Sequence, residues 1–308
     1  MAKKKKIIFI LIPIIVISSL LYHTYKTNAD FIENKKNNFA AEKGKAAWRF
    51  LEKDIKREAG AFNGDVAVVI KDLATSRKIL FRQNKLFPSA SLVKIPIMAA
   101  CFYAADTGKI NLTQRVCLRR EDKVSGSGLL KNEAAGREFT VRELLGLMIT
   151  ESDNTASNML IKLLGFDYLN NCFKKFGLKN TNISRRMMDF SNRRDGIENY
   201  TSAGDIAYLL EKIYRQQLIN RTVSRDCLTL LKLQKMRDRI PARLPADTII
   251  AHKTGLERGI CHDAGIVFTD NGDFLICVLT KYKSKTAKKA KKFIARIAFL
   301  TYNYYENY

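Results

Sequence analysis

Apolar residues recur at helical spacing from Ala46 to Ala59, where Trp48, Leu51 and Ile55 share a face and Gly60 follows as a stop. Asp65 to Ile70 and Lys78 to Arg82 read as strands joined by the polar turn Asp72 to Arg77. Ser91 to Ala105 predicts a helix ending near Gly108, and Pro96 is expected to kink it by removing a backbone donor. Thr140-Val141-Arg142-Glu143 is a capping box that opens a helix through Ile149. Ser152 to Leu164 continues in helical pattern and stops at Gly165. Ser202-Ala203-Gly204-Asp205 opens a helix to about Tyr214, and residues 223–234 form another. From Ser91 to about Arg239 no segment reads convincingly as a strand. After Leu244-Pro245 the pattern changes. Thr248 to Lys253, Cys261 to Thr269 and Phe274 to Tyr282 are β-rich, with Asp270-Asn271-Gly272 turning between the last two. A basic amphipathic helix from about Lys285 to Tyr302 carries Phe293, Ile294, Ile297 and Leu300 on one face. Strands at both ends with helices between them predict an α+β fold: one sheet built from the two ends of the chain, and an all-α lobe inserted at about residues 91–240.

The N-terminus stands apart. Lys3 to Lys6 precede the apolar run Ile7 to Tyr22, and Thr27-Asn28-Ala29 supplies a small-residue cleavage site. That is the form of a secretory signal. The run is shorter than the roughly 20 residues of a comfortable spanning helix. Residues 1–29 are therefore read as a signal peptide or signal-anchor, 30–45 as a polar tether and 46–308 as an extracytoplasmic catalytic domain. No Cys follows the apolar run, which argues against a lipoprotein.

Composition sharpens this only in part. Across 308 residues, 46% are apolar or aromatic, with 16 Gly and 5 Pro, which excludes a disordered or collagenous chain. Lys and Arg outnumber Asp and Glu by 54 to 30, a net charge of +24. Much of the excess lies in two clusters, Lys3 to Lys6 and the seven lysines 281, 283, 285, 288, 289, 291 and 292. No nucleic-acid motif accompanies them. They read as a targeting signal and a solvated helix face, with attraction to an anionic membrane or cell-wall surface as the functional alternative. The six cysteines lack CxxC spacing and sit mostly in apolar runs, so buried free thiols are expected. Cys261-His262 has no second ligand pair, and no metal is expected.

Three short motifs carry the chemistry. Ser91-Leu92-Val93-Lys94 sets a hydroxyl and an amine three residues apart, one turn along a helix. A neutral Lys amine there takes the Ser proton, provided burial or nearby positive charge depresses its pKa. Ser152-Asp153-Asn154 stands at a loop-to-helix junction, where the Ser relays a proton and the Asn donates to a substrate amide. Lys253-Thr254-Gly255 ends a strand, where Lys and Thr hold a carboxylate and Gly lets a substrate backbone approach. Each motif alone is more often structural than catalytic. Their order and wide spacing in an exported chain make a strong signal.

With these motifs, and with Gly126-Ser127-Gly128 ahead of the second, the chain resembles the penicillin-recognising serine hydrolases, most closely the class A β-lactamases, from about Ala46 to Tyr302. The resemblance implies an antiparallel sheet covered by helices with an all-α lobe. It implies Ser91 as the nucleophile that forms an acyl-enzyme, Lys94 as its activator and Ser152 as the proton relay to the leaving nitrogen. Asn154 would bind the substrate's side-chain amide, and Lys253, Thr254 and Gly255 its carboxylate end. The backbone N–H groups of Ser91 and Leu256 would form the oxyanion hole, each such donor contributing roughly 2.7–4 kcal/mol. No cofactor is implied.

Two departures qualify the match. The Glu-x-x-Leu-Asn segment whose Glu activates the deacylating water has no counterpart between Arg185 and Asn199. Asp189, Asp195 and Glu198 are the only acids there, and Asp189 is expected to pair with Arg185 or Arg186. Nor does the strand after Lys253 to Gly255 carry the Arg common in class A. Arg258 is near in sequence, and His262 is expected to be packed rather than catalytic. Three readings follow. The first is a β-lactamase with slow deacylation. The second is a D,D-peptidase or penicillin-binding protein acting on D-Ala-D-Ala peptidoglycan stems. The third is a non-catalytic surface-binding protein on the same fold, against which the intact nucleophile and base argue. The expected partner is a β-lactam or a peptidoglycan stem, with no nucleic acid, and a monomer is expected.

Overall fold

A computed structural model describes residues 26, 44–75 and 77–307. Apart from residue 26, the segment expected to be a signal, and most of the expected tether, lie outside the described residues. Residues 44–60 form the first helix, α1. Glu52–Asn307 makes one compact unit, while the described part of a second unit is residue 26 and the start of α1, residues 44–51. Among the described residues no helix is long and apolar enough to cross a membrane.

In the first sheet strands, β1 spans Gly64–Asp72 and β2 Lys78–Phe81; β3 is the short Phe87–Pro88. A 3-10 turn at Ala90–Val93 leads into α2, Lys94–Asp106. Next come β4 (Arg115–Cys117), β5 (Glu138–Thr140), α3 (Val141–Thr150), α4 (Asn154–Leu164), α5 (Phe166–Lys175) and α6 (Phe190–Arg194). They are followed by β6 (Tyr200–Thr201), α7 (Ala203–Tyr214) and α8 (Arg221–Lys232). Strands β7 (Ile250–Glu257), β8 (Ile260–Val267) and β9 (Phe274–Tyr282) and the helix α9 (Lys288–Asn307) complete the chain.

The main sheet is antiparallel, in the order β2-β1-β9-β8-β7, so the two ends of the chain do build it together. Its register aligns Leu80, Val69, Cys277, Ala264 and Lys253 in one row. Side chains in such a row share a face. Lys253 therefore points toward the side on which Val69, Ala264 and Cys277 pack with the lobe helices. Every residue of β8 is buried, because α9 covers one face and the lobe the other. Burial on both faces is why these strands read as apolar runs rather than as alternation. On α9, Ile294 and Ile297 are buried as expected, joined by Ala290, Ala298, Thr301, Tyr304 and Tyr305. The helix runs further than expected, and Tyr305 stacks on Phe274 with ring centroids 5.0 Å apart.

The structure corrects several details. Pro96 does not interrupt its helix. It is the third residue of α2, among the first four, whose amides have no helical acceptor, so nothing is lost. Ser91 stands on the preceding 3-10 turn rather than on the helix itself. The lobe is not strand-free: β4 pairs with β5, and β3 reaches across to β6. At Gly165, φ +80, the chain turns and starts α5 at once, where the sequence predicted only a stop. The Thr140 box holds, with Thr140 Oγ1 accepting from Glu143 N at 3.1 Å and Glu143 accepting from Thr140 N at 2.7 Å. All six cysteines are unpaired; Cys117 is exposed and the other five are buried.

Candidate active site

Three elements meet at Ser91. The 3-10 turn presents it, with Ala90 held at φ +44, a region non-glycine residues rarely occupy. Strand β7 passes directly behind. A Cβ placed on Gly255 would stand 3.3 Å from Ala90 Cβ and 3.4 Å from both Ser91 N and His262 Cβ. Position 255 is glycine because two backbones touch there. The same proximity brings Ser91 N beside the end of β7, where the next residue, Leu256, is exposed.

Lys94 is fully buried. Its Nζ donates to Ser152 O at 2.6 Å, Asn154 Oδ1 at 2.8 Å and Ser152 Oγ at 3.3 Å. Burial depresses its pKa from 10.5 to about 7, against the opposing charges of Asp153 and Glu257. Ser152 sits at φ +56 in the bend that ends before α4. Its Oγ also accepts from Lys253 Nζ at 2.9 Å, so one hydroxyl bridges two amines. Lys253 donates further to Thr254 O at 3.0 Å, and both residues are buried. Burial, and then the neighbouring Lys94, hold the Lys253 amine well below the ordinary Lys value.

Asp153 fixes this bend. It caps α4 through Ala156 N at 2.9 Å, and its other oxygen accepts from Leu129 N at 2.6 Å and Leu130 N at 2.9 Å. The Gly126-Ser127-Gly128 segment wraps so tightly round it that a Cβ on Gly128, φ +113, would lie 2.2 Å from Asp153 Cγ. Asn154 Nδ2 donates to Ser125 O at 3.2 Å, so its amide is held between Lys94 and Ser125. Ser91, Lys94, Ser152, Asn154, Lys253, Thr254 and Gly255, distant in sequence, are thus gathered in one place. The arrangement can deprotonate a hydroxyl, pass the proton through Ser152 and hold an anion at Lys253.

A sequence model described as the Beta-lactamase enzyme family matches residues 50–305. The chain belongs to that family. It is a class A β-lactamase-like serine hydrolase with the β-lactamase fold. Beta-lactamase VEB-1 of Pseudomonas aeruginosa is 26% identical over 272 residues, 82% of this chain and 89% of that protein. Among solved structures, the β-lactamase of Sphaerobacter thermophilus is 29% identical with a TM-score of 0.76, covering 82% of this chain and 96% of that one. A variant of PBP-A, solved as an acyl-enzyme with penicillin G, is 28% identical with a TM-score of 0.78, covering 84% of this chain and 97% of that one.

Within the family frame, the loop from Arg185 to Asn199 is the distinctive part. Asp189 does not pair with Arg185 or Arg186. It caps α6, accepting from Asn192 N at 3.1 Å and Asn192 Nδ2 at 2.6 Å. Its side chain is short enough to turn back on its own backbone, which a cap requires. Glu198 takes Arg185 instead, at 2.6 Å, and Arg193 at 3.0 Å. Asp195 is exposed on the bend after α6. The loop is anchored to α4 by Asn158, which accepts from Met187 N at 2.7 Å and donates to Met187 O at 3.1 Å. The next residue, Met188, φ +63, turns toward the site. A Cβ on Gly126 would meet Asn154 Nδ2 at 2.7 Å and Met188 Sδ at 3.1 Å. The loop therefore delivers a thioether, not a carboxylate, beside Asn154.

The other residues left open by the sequence also find places. Arg258 is exposed on the turn between β7 and β8. His262 is buried, its Nε2 donating to Pro88 O at 2.9 Å and its Nδ1 accepting from Thr280 N at 3.0 Å. Burial pushes its pKa down to about 4, so it is a neutral packed residue. Sequence reasoning missed Arg239. This fully buried guanidinium donates from Nε to Cys261 Sγ at 3.3 Å. Nη1 lies 3.4 Å from Asp238 Oδ1, but neither terminal nitrogen makes a hydrogen bond. Its charge adds to the depression of Lys253. No local motif marks it; only its burial does.

Proposed function

We propose that this chain is an exported serine hydrolase acylated at Ser91 by β-lactams and slow to release the acyl group. The observation that carries the reading is Ser152 Oγ held between Lys94 Nζ at 3.3 Å and Lys253 Nζ at 2.9 Å, with Lys94 depressed to about 7. Neutral Lys94 takes the Ser91 proton, and Oγ attacks the lactam carbonyl. The N–H groups of Ser91 and Leu256 hold the oxyanion. Ser152 carries a proton to the departing nitrogen. Lys253 and Thr254 hold the substrate carboxylate, which restores charge to Lys253, and Asn154 orients the side-chain amide. Because only the neutral amine accepts a proton, acylation rises with pH through about 7.

Deacylation needs a base for water, a contribution of typically ~10²–10⁴-fold. Asp189 and Glu198 are engaged elsewhere, and Asp195 is exposed. This supports a burst of product followed by a slow phase. The Met188 thioether beside Asn154 favours a second reading, a D,D-peptidase acting on D-Ala-D-Ala stems, and PBP-A, captured with penicillin G, is the similar structure that suits it. Intact mass measured over time after a penicillin pulse separates acylation from deacylation. An adduct that still forms on Ser91→Ala refutes the nucleophile. Release of D-Ala from a stem peptide, with a long-lived penicillin adduct, selects the second reading. Export by residues 1–29 is tested by a reporter fused after Asn37, and its retention in the cytoplasm refutes the signal.

A further inference from the structure

Four charges join the 185–199 loop to the end of β7. Arg185 donates from Nε and Nη2 to Glu198 Oε1 at 2.8 and 2.6 Å. Arg193 reaches Glu198 Oε2 from Nε at 3.0 Å and Glu257 Oε2 from Nη1 at 2.7 Å. Arg185 Nη2 stands 3.6 Å from Glu257 Oε1. Two guanidinium and two carboxylate groups balance. Arg185 and Glu198 are buried, and Arg193 and Glu257 are only 28% and 23% exposed. Salt screens such a network less than a surface pair, and removing one member strands a charge among the rest.

Both ends of this bridge adjoin the site. Glu257 directly follows Leu256 on β7. Arg193 lies on α6, whose cap, Asp189, directly follows Met188. The bridge thus spans from the strand behind Ser91 to the segment that lays Met188 against Gly126 and Asn154. We propose that Glu257 is a positioning residue. Through Arg193 it holds the 185–199 loop against β7, keeps the Met188 thioether beside Gly126 and Asn154, and so slows the approach of water to the acyl-enzyme. This rests on the reading that Ser91 is acylated. Glu257 touches no reacting atom, and its specific contribution is the lifetime of the ester.

Glu257 also raises the proton affinity of Lys94, so it acts on the site by a second route that must be separated. Arg193 provides the separation. Arg193→Gln removes the hydrogen-bonded link to Glu257, leaving only Arg185 Nη2 at 3.6 Å, and keeps the Glu257 carboxylate in place, whereas Glu257→Gln removes both effects. Measuring at pH 9, where the Lys94 amine is neutral in either case, removes the second route altogether. The experiment is a benzylpenicillin pulse on the wild-type chain, on each single variant and on the double variant, followed by intact mass. Adduct loss is expected to be at least fivefold faster in both single variants, with acylation within twofold of wild type. The double variant should match the singles, because one bridge is broken once. Amide exchange across residues 186–198 should rise in both, with α4 and β8 still protected.

An adduct lifetime unchanged in both folded variants overturns the proposal. So does faster loss in Glu257→Gln alone, which would place the effect outside the Arg193 bridge. So does unchanged exchange in the loop. Absence of any adduct on the wild-type chain would remove the Ser91 reading and this proposal with it. A normal adduct with normal variant lifetimes removes only this one.

Discussion

Replacing Lys94 by Met separates the amine's charge from its shape. The wild-type amine titrates at about 7 when folded and near 10.5 when unfolded. Between those values the unfolded chain binds the extra proton and the folded chain does not. Stability therefore rises with pH across that window, at about 1.4 kcal/mol per pH unit, and is flat in this term below it. The whole interval corresponds to roughly 4–5 kcal/mol by which a buried, ionisable Lys94 weakens the fold at neutral pH and below. Met has similar length and no proton. It also strands the acceptors Ser152 O and Asn154 Oδ1, a loss of about 1–3 kcal/mol each that does not vary with pH. The informative quantity is accordingly the change with pH, not the absolute difference. Unfolding free energies from urea titrations of wild type and Lys94→Met should diverge by roughly 2–3 kcal/mol between pH 7.5 and 9.5, with wild type gaining. A difference that stays constant from pH 7.5 to 9.5 would show that Lys94 remains charged in the folded chain, and the base assignment would fall with it.

Arg239→Met should lower the unfolding midpoint, because it removes one partner of a buried pair and leaves Asp238 Oδ1 and Cys261 Sγ without the guanidinium beside them. The same variant should lower KM for a carboxylate-bearing β-lactam, because Lys253 then keeps its proton more readily; an unchanged KM would confine Arg239 to packing. Gly255→Ala should slow acylation and destabilise by ~1–3 kcal/mol, because its Cβ presses on Ala90 and Ser91 N, and unaltered acylation would refute the contact. Neutralising Lys288, Lys289, Lys291 and Lys292 together should reduce retention on anionic vesicles, an effect that fades with salt over a Debye length of roughly 8 Å, and leave Ser91 acylation within twofold. A large loss of acylation in that folded variant would show that α9 bears on the chemistry.

Much of this molecule was legible from local chemistry, and what was not depended on distance. The α+β order, the Thr140 and Ser202 caps and the last three strands follow from patterns contained within a few residues. The three motifs were legible for the same reason. The Asp189 partner was not, because a carboxylate can satisfy an arginine or its own helix start equally well, and sequence does not say which is nearer. Arg239 was hidden because an arginine in a charged stretch reads as surface until β8 is seen to cover it. The pairing of β3 with β6 joins residues more than a hundred positions apart, beyond any periodicity.

Three of the six non-glycine residues with positive φ among the described residues stand at the site. Ala90, Ser152 and Met188 are non-glycine residues with φ of +44, +56 and +63, and they flank or form the nucleophile, the relay and the loop. Each such conformation costs on the order of 1–3 kcal/mol and persists only where neighbours enforce it. Those neighbours can be named. Ser89 N donates to Asn199 O at 2.7 Å and Gly255 packs behind Ala90. Lys94 holds the Ser152 carbonyl at 2.6 Å, and Asn158 holds both backbone groups of Met187. Lys94 therefore has a double part. Its burial weakens the fold, yet its shortest hydrogen bond fixes the strained residue whose hydroxyl it must reach. A substitution that relieves the burial releases that constraint at the same time, so stability gained at position 94 and catalytic geometry at Ser152 cannot be improved together.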